Sequence, residues 1–113
     1  KWRDSPMPRP WGEWHSYKEF DIDNAKAKLK SLIVKPGQKL SYQKHNQRSE
    51  HWFVIKGNAT IVLNDKEYTV KTFKHFDIAV NEWHQLVNNG SEELIVVEVQ
   101  YGKACVEEDI ERK

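Results

Sequence analysis

An all-β fold, closed into a sandwich or a small barrel, is what this chain predicts, and three observations carry the expectation. Short runs rich in Val, Ile, Tyr, Phe and Trp recur along most of its length. Turn signals divide them: Pro36-Gly37, Gly57-Asn58, Asn64-Asp65 and Asn89-Gly90. The runs are also too short for ordinary helices. At 113 residues the chain has the length of one ordinary domain. It shows no repeat, linker or low-complexity tract, so a single domain over 1–113 is expected, with an extended N-terminal arm over about 1–20.

Taken in order, the arm combines Pro6, Pro8 and Pro10 with Trp2, Trp11 and Trp14, a composition that resists helix and leaves large rings to bury. Those rings are expected to pack either on the chain's own barrel or on a second subunit, and a homodimer that partly buries Trp2, Trp11 or Trp14 is the expectation. Strand-like segments follow at 29–34, 39–43, 50–55, 59–63, 67–70, 76–80, 83–87 and 94–100. Two stretches read as helical, 107–112 and, with fewer signals, 25–30.

Composition narrows the function. Apolar residues make up 38% of the chain, including five Trp, so a packed core is affordable and disorder is not expected. Eighteen Lys and Arg against seventeen Asp and Glu leave a net charge of +1, with the signs interspersed. That pattern offers no footprint for nucleic acid or an anionic membrane surface. The longest apolar run, 94–97, is strand-sized and far below the ~20 residues that span a bilayer. No apolar block follows Lys1-Trp2-Arg3-Asp4, so these residues do not read as a signal peptide. The single cysteine, Cys105, has no internal partner, and a reducing, cytoplasmic setting is expected.

Residues with metal-ligand character gather in two places. One is the polar stretch from Gln43 to Trp52, and the other is His84. Strand side chains alternate faces, so Gln43 shares a face with His45 and Glu50 with Trp52, whereas His51 points away from Glu50. Together Gln43, His45, Glu50 and His84 would offer two imidazoles and two oxygens, a set suited to Zn, Fe, Mn, Co or Ni. The alternative makes each an ordinary surface or hydrogen-bonded polar group. His15 and His75 match no further ligand-type residue in the sequence pattern and read as ordinary polar residues.

The spacing of Gly37, Gln43-Lys44-His45, Glu50 and Gly57 resembles the first motif of the cupins, with Gln-x-His in place of the usual His-x-His. The run from Ala79 to Asn88 partly matches the second motif through His84 and Asn88, with Ala79 and Asn81 where the motif has Pro and Gly. A more specific resemblance is to the type II mannose-6-phosphate isomerase domain found at the C-terminus of mannose-1-phosphate guanylyltransferases. It is carried by Arg9-Pro10-Trp11-Gly12, by Val34-Lys35-Pro36-Gly37-Gln38-Lys39-Leu40-Ser41, by Arg48-Ser49-Glu50-His51-Trp52 and by Glu98-Val99-Gln100-Tyr101-Gly102 with Glu108-Asp109-Ile110. The family usually reads His-His-His-Arg before this Glu-His-Trp string, and this chain keeps the first as His45, followed by Asn46 and Gln47. No Gly-rich phosphate loop is present, so only the isomerase half of the resemblance is implied.

The resemblance implies a double-stranded β-helix holding a divalent transition metal, zinc first, at Gln43, His45, Glu50 and His84. That ligand set is also similar to the one in zinc-dependent type I phosphomannose isomerases. The implied reaction interconverts mannose 6-phosphate and fructose 6-phosphate. Moving a proton between C1 and C2 develops negative charge on oxygen, which a Lewis acid stabilises, and it requires a base titrating near neutrality. His51 is a candidate base, with a structural role on the opposite face as the alternative. Arg48 shares the parity of Glu50 and is expected near the mouth, holding the phosphate through forked donors, or else is a solvated loop cation. Lys44 and Lys56 are lesser phosphate candidates. Trp52 and Trp83 would wall the pocket or simply pack. The competing functions are a non-catalytic sugar-binding or regulatory cupin, and a cupin isomerase or epimerase acting on a nucleotide-linked sugar.

Overall fold

In the computed structural model, which describes residues 6–113, the alternating segments form strands and turns without a helix among the described residues. The strands are β1 (Met7–Arg9), β2 (Gly12–Ile22), β3 (Ala25–Val34), β4 (Gln43–Lys44), β5 (Arg48–Lys56), β6 (Ala59–Leu63), β7 (Lys66–Val70), β8 (His75–Ile78), β9 (His84–Val87), β10 (Leu94–Gly102) and β11 (Glu111–Arg112). A six-stranded sheet runs β1-β2-β3-β10-β5-β8, and a five-stranded sheet runs β11-β4-β9-β6-β7. Every pairing is antiparallel.

Two-residue turns explain two of the hairpins. Asn64 and Asp65 both take positive φ between β6 and β7, and Asp23 and Asn24 do so between β2 and β3. Asn and Asp tolerate this left-handed geometry, whose twist matches that of the strands it joins. At Gly57, φ is +81°, and a Cβ would meet the Glu93 carbonyl oxygen at 3.0 Å, so this turn specifies glycine twice over.

What positions the site is a change of chemistry along the inner face of the larger sheet. On β10 the inward residues are Leu94, Val96, Glu98 and Gln100; on β5 they are Arg48, Glu50, Trp52 and Val54; on β3 they are Lys28, Lys30, Leu32 and Val34. Register aligns the three sequences. Val96 faces Leu32 and Val54, Glu98 faces Lys30 and Trp52, and Gln100 faces Lys28 and Glu50. One end of the barrel is therefore packed with Leu32, Val34, Val54, Ile61, Ile78, Leu86, Leu94 and Val96. Burial of each such side chain contributes about 1.5–3 kcal/mol. The other end is lined with charged and amide groups.

Two sequence expectations are corrected. Residues 25–30 belong to β3, because Ala27 and Leu29 alternate with Lys26, Lys28 and Lys30 at the strand period, which pairing with β2 and β10 satisfies. Residues 107–112 form turns and then β11, which pairs with β4. Much of the expected arm is β2, hydrogen-bonded to β3. Trp14 is buried in the chain's own core and Trp11 packs partly against it, the own-barrel alternative for these two rings. Trp2 lies outside the described residues.

Candidate metal centre

The polar end of the barrel encloses a cavity of about 250 Å³, and all four expected ligands line it together with Arg48, Trp52, Glu98 and Gln100. Glu50 enters from β5, Gln43 from β4, and His84 begins β9, where its backbone pairs with that of Gln43. His45 follows β4 at the start of the loop into β5. His45, Glu50 and His84 are 3%, 1% and 2% exposed. Their ligand atoms lie within 4.8 Å of one another. Glu50 Oε2 is 3.2 Å from His45 Nε2, and its Oε1 is 3.9 Å from His84 Nε2.

Both imidazoles are oriented by backbone carbonyls. His45 Nδ1 lies 2.7 Å from the carbonyl oxygen of Asp109, and His84 Nδ1 lies 2.9 Å from that of Glu82. A carbonyl oxygen only accepts, so each Nδ1 carries the proton and each Nε2 presents its lone pair to the cavity. This is the outer-shell arrangement that fixes the tautomer of a metal-ligating histidine. In the neutral tautomer the His45 Nε2 and Glu50 Oε2 lone pairs face each other, a contact that the Arg48 guanidinium bridges here and that a metal ion would also relieve. The donor set fits a borderline divalent ion. Gln43 donates from Nε2 toward Ser41 O and Oγ at 3.4 and 3.3 Å, which leaves its carbonyl oxygen as the potential ligand.

The electrostatics agree. Burial lowers the pKa of His84 and favours the neutral form that binds metal. Burial opposes ionisation of Glu50, but its contacts with His45 and Glu98 and the nearby Arg48 charge hold the carboxyl well below the usual range. Glu98 is the opposite case. Burial, then the Glu50 charge and a hydrogen bond with Glu50, push its pKa up to about 8. Trp52 Nε1 bridges the two carboxyls, 2.9 Å from Glu50 Oε1 and 3.2 Å from Glu98 Oε2.

Arg48 and His51 lie away from their expected positions. Arg48 is 5% exposed and sits among the ligands instead of at the mouth. Its Nε donates to Glu50 Oε2 at 3.0 Å, Nη1 to Val106 O at 3.2 Å and Nη2 to His45 Nε2 at 3.2 Å. The strand parity that makes it a neighbour of Glu50 draws it inward. The same parity turns His51 to the outer face, where its Nδ1 meets Asp77 Oδ1 at 2.5 Å, so the structure does not bring it to the cavity. Trp52 walls the site edge-on to His84, whereas Trp83 packs against Tyr42 outside it. Asn46 and Gln47 are exposed and line no part of the cavity, so their side chains remove no donor from it.

Sequence reasoning missed Glu98, Gln100, Lys30 and Glu107. Lys30 Nζ lies 3.7 Å from the Trp14 ring centroid and 3.1 Å from Glu107 Oε2. Gln100 donates to Glu98 Oε1 at 3.0 Å, while its own Oε1 is buried with no hydrogen-bond partner among the described residues, an acceptor open to a ligand hydroxyl. The signal was available: Glu98 and Gln100 continue the inward parity of Leu94 and Val96.

The family model described as mannose-6-phosphate isomerase C-terminal matches residues 3–113. The alginate biosynthesis protein AlgA of Pseudomonas aeruginosa is 38% identical over 104 residues, which cover 92% of this chain and 21% of that protein. Mannose-1-phosphate guanylyltransferase 2 of Escherichia coli O157:H7 is 37% identical over 105 residues, 93% of this chain and 21% of its own length. The chain thus spans about a fifth of these relatives. Among solved structures, the capsular polysaccharide assembling protein CapF of Staphylococcus aureus superposes with a TM-score of 0.79 at 19% identity, covering 95% of this chain and 33% of that one. A predicted oxalate decarboxylase from Thermotoga maritima gives 0.72 at 18% identity, covering 80% and 79%. These likenesses identify the two-sheet barrel as the double-stranded β-helix of the cupins.

Proposed function

This chain belongs to the mannose-6-phosphate isomerase C-terminal family, and from that premise we propose that it is a metal-dependent isomerase interconverting mannose 6-phosphate and fructose 6-phosphate. The observation that carries the reading is the pair of buried imidazoles, His45 and His84, each held by a backbone carbonyl with Nε2 turned toward the Glu50 carboxylate. His45, Glu50 and His84 would hold the ion, with Gln43 as a fourth ligand, and zinc suits the set best. When bound, a divalent ion supplies Lewis-acid stabilisation of the charge that develops on the sugar oxygens.

The protein's own groups do the rest. Arg48 fixes the Glu50 carboxylate in place through its Nε donor, and its Nη2 contact with His45 Nε2 gives way when that nitrogen takes the ion. The Gln100 Oε1 accepts a sugar hydroxyl. Glu98, buried against the same cavity, takes the proton of C2 on a carboxylate oxygen and returns it to C1 while the O2 hydroxyl proton passes to O1, the role that His51 cannot fill from the outer face. Arg9 and Arg112 are exposed at the cavity rim and meet the phosphate, in place of the buried Arg48. Trp52 and Leu86 exclude water from the floor.

A cytoplasmic homodimer completes the reading. Cys105 is a free thiol, and no helix among the described residues is long and apolar enough to cross a membrane. Exposed Phe20 and Ile22 on β2, three strands away from β5 in the larger sheet, suit contact with a second copy. The decisive experiment is turnover: the zinc-loaded chain should convert mannose 6-phosphate to fructose 6-phosphate, and His84→Ala should not. Sugar-phosphate binding without turnover by the loaded parent would instead support a sugar-binding cupin.

A further inference from the structure

On the outer face of the larger sheet, His51, His75 and Asp77 form a second group of metal-ligating side chains, with ligand atoms within 4.8 Å of one another. We propose that this group is a second divalent transition-metal site, separate from the cavity and open to solvent. His51 and Asp77 are register partners on β5 and β8, and His75 lies two residues from Asp77 on the same face of β8. The His51 and His75 ring centroids are 5.1 Å apart. The backbone is already rigid here, because β5 is hydrogen-bonded on both sides, to β10 and to β8.

The donor chemistry selects the ion. Two imidazoles and one carboxylate suit Zn²⁺, Co²⁺, Ni²⁺ or Cu²⁺ and disfavour Ca²⁺ and Mg²⁺, which require mostly oxygen. Donors that share one zinc ion sit within about 4.2 Å of each other, so small rotations of these half-exposed side chains complete the site. All three reach solvent, with the side chains of His51 and Asp77 41% and 64% exposed, and water completes the coordination. The ion bridges β5 to β8, the edge strand of the sheet. Because β5 carries Arg48, Glu50 and Trp52 on its inner face, the outer ion braces the strand that supplies the cavity.

The test is zinc stoichiometry by equilibrium dialysis at neutral pH, on the parent chain and on His75→Ala, Asp77→Asn and His45→Ala. His75 and Asp77 are exposed, and neither substitution disturbs the core. The expected result is that His75→Ala binds one zinc fewer per chain than the parent, that Asp77→Asn needs more zinc for half-filling of that ion, and that His45→Ala retains it. The imidazole ¹⁵N resonances of His51 and His75 should shift with zinc in the His45→Ala chain. Equal stoichiometry in the parent and His75→Ala, or unmoved His51 and His75 resonances, overturns the proposal. Either result stands whether or not the cavity binds metal or turns over sugar.

Discussion

The Nδ1 of His45 lies 2.7 Å from the carbonyl oxygen of Asp109, while the carboxylate of the same Asp109 accepts the backbone N–H groups of Asn46 and Gln47 at 3.0 and 2.9 Å. One residue of the C-terminal segment therefore fixes both the ring of a ligand and the loop that carries it. Arg48 adds a third tie to that segment through the Val106 carbonyl.

Asp109→Ala leaves two backbone donors of the 45–47 loop without their acceptor, at a cost of about 1–3 kcal/mol. The loosened loop no longer holds the His45 ring, so metal affinity in the cavity should fall by about 10–100-fold, as is typical when an outer-shell partner is lost. Zinc competition with a chromogenic chelator measures this. Unchanged affinity would show that the Asp109 carbonyl holds the ring without help from the side chain.

How far the sequence reaches is visible in particular elements. Segment 59–63 is the strand β6 with the same bounds, because Gly57-Asn58 and Asn64-Asp65 punctuate it on both sides. The four expected ligands meet at one cavity because each sits at an inward strand position or next to one. Residues 25–30 read as helix because their Ala and Lys content favours it, whereas the pairing of β3 with β2 and β10 decides the outcome. The inward course of Arg48 and the role of Asp109 depend on contacts across the barrel, Arg48 with Val106 and Asp109 with His45, and local pattern does not encode these. His75 looked partnerless because its neighbours, His51 and Asp77, become a cluster only once β8 pairs with β5.

Removal of metal should lower thermal stability, because an ion that binds only the folded chain adds RT ln(1 + [L]/Kd). A hundredfold excess over Kd corresponds to about 2.7 kcal/mol. Chelation should therefore lower the Tm of the parent by several degrees. The drop should largely vanish in a chain carrying His45→Ala, His84→Ala and His75→Ala together. Calorimetry with and without chelator checks this, and an equal drop in the triple variant would place the metal elsewhere.

Glu98 gives the metal-free chain a pH signature. Its folded pKa is raised from an ordinary value of 4.5 to about 8. The proton is thus held more tightly in the folded state, and the associated stability is complete below the unfolded value and lost as pH rises through the folded one. His84, with a lowered pKa, contributes in the opposite sense near its ordinary value. The informative quantity is accordingly the difference between parent and Glu98→Gln. Urea midpoints should show the parent losing stability relative to the variant between pH about 4.5 and about 8, by an amount on the order of a few kcal/mol, with a constant difference above that range. A difference that does not change with pH would mean that Glu98 titrates normally.

Arg112 separates binding from chemistry. It is exposed at the rim, its Nε lies 3.3 Å from Ser41 Oγ, and it is not in contact with any of His45, Glu50 or His84. If it meets the phosphate equally in the ground and transition states, Arg112→Ala removes uniform binding, so KM for mannose 6-phosphate rises while kcat holds. A charge-assisted hydrogen bond of about 1.5–3 kcal/mol corresponds to a rise of roughly 10–150-fold. Free mannose, which lacks the phosphate, should be turned over by parent and variant at the same kcat/KM. Arg48→Ala should behave differently, since it strips the Glu50 carboxylate of its Nε donor and should lower kcat on both sugars. Steady-state kinetics on the two substrates distinguish the roles. Equal losses on both sugars for Arg112→Ala would move that residue from the phosphate to the reacting carbons.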